Sequence, residues 1–161
     1  RDTLRSVKQG SDALGKMPIV RGYVEDATAI LVRPTMKRER WTFQTKDLFE
    51  PGSATLTHAG QVHMNNMANA LKGNKAPGSE VVAVAFFDPD DKSQTAAAAL
   101  ELTKKQAESI ITHLKSCDVH KIGTVTRRKM TPLGMGTGAS PVVETDKAPP
   151  SHVEVLLFTP R

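Results

Sequence analysis

Cysteine is nearly missing from this 161-residue chain: Cys117 stands alone, so no internal disulfide can form. Aromatic residues are almost as scarce, at 4%, so the core must be built from Val, Leu, Ile, Met and Ala. No apolar run is long enough to cross a bilayer as a helix, which excludes a helical membrane span. A signal peptide is not visible, and the sequence opens at Arg1 without a Met, as in a mature or trimmed form. What is present, 39% hydrophobic and 24% charged residues, is ordinary for one globular domain with an appendage.

The net charge of +5 is unevenly placed. Residues 1–46 hold ten Lys and Arg against five Asp and Glu, whereas residues 47–161 hold twelve of each. This asymmetry divides the chain into a basic N-terminal arm over 1–46 and a balanced domain over 47–161. The arm suits an acidic surface, whether a partner protein, lipid headgroups or nucleic acid, or is a solvated tail.

Residues 1–18 carry only a weak helical pattern through Leu4, Val7 and Leu14. TAILVR (28–33) is β-branched and stopped by Pro34, and RWTFQT (40–45) alternates like a half-buried strand, so the two predict a hairpin. From Phe49 the pattern is cleaner. Thr57 suits the N-cap of a helix over 58–72, which brings Met64, Met67, Ala68 and Leu71 onto one face. VVAVAFF (81–87) reads as a central strand buried on both faces. A second helix is predicted over 95–116, then strands at IGTVTR (122–127) and HVEVLLF (152–158). Residues 131–150 are rich in Gly and Pro and read as a long surface loop. Alternating strands and helices predict an α+β fold, a mixed sheet with both helices on one face.

Three constellations invite chemistry. His113, Cys117 and His120 have ligand-like spacing, with Asp118 as a fourth donor for zinc, but structural zinc sites ordinarily use two or more cysteines. GMGTG (134–138) looks like a phosphate loop, yet Pro141 follows and no helix starts there to meet a phosphate. The basic runs KRER (37–40) and RRK (127–129) lack the interleaved aromatics of a single-strand binder, so nucleic acid is not expected. No nucleophile elbow or triad is visible, and neither enzymatic activity, a cofactor nor a bound metal is expected.

FFDPDD (86–91) remains, with Asp88, Asp90 and Asp91 leaving the central strand together. The next helix carries Gln106 at the edge of its apolar side. LFEPGSATLTHAG (48–60), VVAVAFFD (81–88), ELTKKQAESIITHL (101–114), GMGTGASPV (134–142) and HVEVLLF (152–158) together resemble, in order, the motifs of the OmpA C-terminal family. This is the peptidoglycan-associating domain also seen in Pal lipoproteins and MotB. The resemblance covers Phe49 to the C-terminus and implies a βαβαβ-β fold. It also implies a site in which an Asp meets the ammonium group of diaminopimelate and an Arg meets its carboxylate.

The Asp carries over to Asp88, and Gln106 stands in the Arg position. Gln106 brings no charge and no guanidinium fork, which weakens carboxylate binding by roughly 1.5–3 kcal/mol. Phe87 replaces the family's Thr, His152 replaces its final Arg, and the loop after Asp88 is longer. Lys105 adjoins Gln106 but points about 100° away on a helix. Asp88, Gln106, Asp91, Lys105 and His152 thus form an eroded peptidoglycan site. Two expectations follow from the resemblance. One is a non-enzymatic structural subunit of an envelope or secretion-system assembly, partnered by other envelope proteins. The other is a peptidoglycan-binding lipoprotein at the periplasmic face of the outer membrane, reaching lipid only through an N-terminal anchor outside this sequence.

Overall fold

The computed structural model describes residues 27–141 and 148–161; the arm expected over 1–18 lies outside the described residues. Residues 33–140 and 148–161 belong to one compact unit, and 27–32 with Pro141 fall outside it. Four strands and two helices build this unit: β1 Met36–Gln44, α1 His58–Lys72, β2 Glu80–Phe86, α2 Ala96–Ser116, β3 Lys129–Gly136 and β4 His152–Pro160. The sheet order is β1-β4-β2-β3. β2 pairs parallel with β3 and antiparallel with β4, and β1 pairs antiparallel with β4. This is the mixed α+β sheet expected from the element order.

The two most apolar strands take the two central places. Every residue of β2 is buried, as a strand flanked on both edges requires. Its period-two alternation places Val81, Ala83 and Ala85 in one cluster with Val153, Val155 and Leu157 of β4. Met64, Met67, Ala68 and Leu71 of α1 join them, as do Ala107, Ile110, Ile111 and Leu114 of α2, so both helices cover this face. On the other face Val82, Val84, Leu156 and Phe158 are buried beside charged groups. Those charges are compensated: Glu80 is bonded by Arg33 and Thr131, and Glu154 by Arg40 and His152.

Both helices start where a threonine accepts an orphan amide. Thr57 accepts from Gly60 at 2.9 Å, as the sequence predicts, and Thr95 accepts from Ala98 at 3.0 Å.

Two elements differ from expectation. Residues 27–31 are helical rather than a strand, and β1 pairs with β4 instead of folding back as a hairpin. β-propensity reports fit to a pleated neighbour, and among the described residues no strand pairs with TAILVR. The strand expected at 122–127 is a tight loop closed by a bridge between Lys121 and Arg127. The real strand, β3, runs over Lys129–Gly136 and so takes in the first six residues of the expected surface loop. Its Pro132 cannot donate to a ladder, but β3 lies at the sheet edge, where one side of the backbone needs no partner.

Candidate functional site

α2 projects two donors, three residues apart and so on one helix face, towards the loop between β1 and α1. The Gln106 side-chain amide donates to the Ser53 carbonyl at 3.0 Å, and the Ser109 hydroxyl donates to the next carbonyl, Ala54, at 2.7 Å. Gln106 is only 3% exposed. Its amide is therefore neither core filler nor a solvent group: it clamps backbone carbonyls that no strand satisfies.

The five residues expected to share a site fall in separate places. Asp88 and His152 line one recess of about 330 Å³ with Phe87, Thr137, Ser140 and Pro149. Gln106 does not line it. Lys105 lines a different recess, of about 510 Å³, with Ala54, Glu108, Ser109 and His113. Asp91 lines neither recess and turns back on its own chain, accepting from the Ser93 amide at 2.9 Å. That hydrogen bond and the Ser93 side chain hold its pKa below the ordinary value.

Around Asp88 the backbone is closely determined. Its amide donates to Ser151 Oγ at 3.0 Å, and its Oδ1 accepts from the Asp90 amide at 2.9 Å, an Asx-type turn. One carboxylate oxygen is thus committed to the turn. His152 braces the opposite wall. Its Nδ1 lies 2.7 Å from the Pro149 carbonyl, which only accepts, so Nδ1 carries a proton. Its Nε2 lies 2.8 Å from Glu154 Oε2. The ring stacks on Phe86 at 4.5 Å between centroids, 12° from parallel. This histidine ties Pro149 to Glu154 of β4.

The glycines of GMGTG serve packing. A Cβ at Gly134 would lie 2.3 Å from the Lys104 amide nitrogen, and Gly136 has φ +55° with its amide donating to Thr103 Oγ1 at 2.9 Å. α2 lies so close on β3 that no side chain fits between them. Two of the zinc candidates meet on an asparagine. His113 and Cys117 both turn to Asn65 Oδ1, at 2.8 and 3.7 Å. Among the described residues no group of three His, Cys, Asp or Glu side chains could hold a metal.

Sequence reasoning missed Ser109 and Ser151. Ser109 was open to discovery, because it sits three residues from Gln106 on the same helix side. Ser151 was not, because only the fold brings it to Asp88.

No family model matches the chain, and no curated protein matches it. Solved structures do share its fold. The periplasmic domain of Helicobacter pylori MotB aligns with a TM-score of 0.57 at 13% identity, over 80% of this chain and 76% of that one. The cell wall anchor of the type VI secretion system from Pseudomonas aeruginosa aligns with a TM-score of 0.53 at 16% identity, over 87% and 96%. A MotB-like protein from Desulfovibrio vulgaris gives 0.54 at 10% identity, over 89% and 92%. The fold is that of these OmpA-like domains, as the motif order predicted.

Proposed function

We propose that this protein is a non-enzymatic structural subunit of a bacterial envelope assembly, built on an OmpA-like domain whose ligand site has been turned to internal use. The observation that carries this reading is the Gln106 amide, buried and bonded to the Ser53 carbonyl where the family places a ligand-holding arginine. A group committed to the protein's own backbone is not offered to a stem-peptide carboxylate. Asp88 and Asp90 line the recess and add negative charge there, which repels that carboxylate. The fold's occurrence in a MotB periplasmic domain and a cell wall anchor supports placement in the periplasm. Among the described residues no helix is long and apolar enough to cross a membrane. The finer reading is a lipoprotein of an outer-membrane secretion core, of the DotK/IcmN type in a Dot/Icm type IVB system. It rests on chain size and on the degenerate motif.

A second reading, a wall-binding anchor of the outer membrane, is favoured by the intact recess at Asp88. Co-sedimentation with purified sacculi separates the two. The structural-subunit reading expects little retention of the native protein and no gain in Gln106→Arg, because residue 106 is buried and does not line the Asp88 recess. Strong native retention that is lost in Asp88→Ala would establish the anchor instead.

A further inference from the structure

Residues 47–161 hold twelve acidic and twelve basic side chains, but seven of the basic ones gather at one end of the sheet. The C-termini of α1 and α2 both lead to the starts of β2 and β3, where Glu80 and Lys129 are register partners. The segments that build this end, 71–80 and 115–129, contain seven Lys and Arg against two carboxylates. Both carboxylates are occupied, Asp118 by Lys121 at 3.1 Å and Glu80 by Arg33 and Thr131. Lys72, Lys75, Lys115, Lys121, Arg127 and Lys129 are all exposed. At the far end, segments 45–56 and 87–95 hold five carboxylates against two lysines.

The basic end is firmly built. Arg128, 4% exposed, donates to the Asn74 and Leu71 carbonyls and so ties the two segments together. Burial, then the charges of Lys121 and Arg127, push the His120 pKa below its ordinary value, a local record of the positive field. From this end projects the loop 121–127, closed by Ile122 N–H to the Thr126 carbonyl at 3.1 Å and rooted by Ile122, 8% exposed. Its tip carries Val125 at 86% exposure, nearly twice that of Val62 at 45%.

We propose that this end, with Val125 at its tip, docks on an anionic lipid surface. Cations draw the domain to acidic headgroups, and an apolar side chain beside them enters the interfacial layer. A protein partner of acidic surface would use the charges but would need a pocket for the valine. A lipid surface accepts an isolated apolar tip without one. Docked so, the Asp88 recess faces away from the bilayer, displaced along β2 by roughly 20 Å.

The test is co-sedimentation of the full chain with vesicles of phosphatidylcholine alone and of phosphatidylcholine with phosphatidylglycerol. Binding to the anionic vesicles only is expected. A cation near such a surface contributes about fivefold to partitioning, so Lys121→Glu with Arg127→Glu should lower it more than tenfold. Val125→Ser, which cannot disturb the fold at an exposed tip, should lower it several-fold. Binding unchanged in both variants would assign it to the basic residues of 1–46 and overturn the proposal. Polyglutamate binding that matches vesicle binding and ignores Val125→Ser would assign the end to an acidic protein, and would also overturn it.

Discussion

Gln106 and Glu80 are both polar side chains in buried surroundings, and each is kept there by named partners. Gln106 donates to Ser53, so Gln106→Ala removes the donor and leaves a poorly solvated carbonyl, at a cost of about 1–3 kcal/mol. Urea denaturation should show that loss, and Ser109→Ala should show a smaller one, because Ser109 is more exposed. For Glu80 burial raises the pKa, but hydrogen bonds from Arg33 and Thr131 and the charges of Arg33 and Lys129 outweigh it. The net value lies below the ordinary 4.5. A depressed folded value means that Glu80 contributes stability at pH above 4.5 and that this contribution is lost as pH falls through the folded value. Glu80→Gln should therefore be less stable than the native protein near neutrality, with the difference shrinking in acid. Urea midpoints measured at both pH values decide it: a constant difference would mean that packing, not charge, sets the effect. At this scale the sequence exposed identities but not partners. Gln106 stood out as an amide on an apolar helix side, yet its carbonyl partner lies 53 residues away.

Elements with strong periodicity could be read directly, and those whose geometry depends on a neighbour could not. Helix α1 falls on the predicted 58–72 and α2 within one residue of the predicted 95–116, because their apolar stripes repeat at helical spacing and threonines mark their starts. The buried run of β2 was equally plain. β3 was missed because KMTPLGMG neither alternates nor runs apolar, and because its Pro and Gly imitate a loop. Those glycines have a structural cause: α2 needs a flat strand surface to approach. A Cβ at Gly134 meets the backbone of Lys104 at 2.3–2.5 Å, and backbone cannot rotate away. Gly134→Ala should force α2 off β3 and destabilise the protein by about 1–3 kcal/mol or more, the range for overpacking. Thermal unfolding checks it. An unchanged midpoint would show that the helix can shift outward without loss.

Taken as a whole, the chain carries most of its net charge from Arg33 onward: +4 over residues 33–161 against +1 over residues 1–32. Composition revealed the excess over 1–46 but not that residues 33–46, which hold most of it, belong to the unit that carries the sheet. Order of elements was enough to predict the fold class, but the site was only partly legible. Asp88 and His152 do share a recess, whereas Gln106 and Lys105 are directed elsewhere by the turn of a helix. The remaining question at this scale is what the N-terminal segment does for a unit whose sheet, caps and helix-covered core lie within residues 33–161. The cluster that joins α1 and α2 to β2 and β4 draws on Leu48 to Leu157. Removal of residues 1–25 should therefore leave a folded, cooperatively melting protein while weakening its retention in the proposed envelope assembly. Circular dichroism of the shortened chain tests the first part and co-purification with the assembly the second. Loss of cooperative melting would place residues 1–25 within the folding unit and rule out their role as a separate attachment arm. Intact melting with undiminished assembly would move the attachment surface onto the folded unit itself.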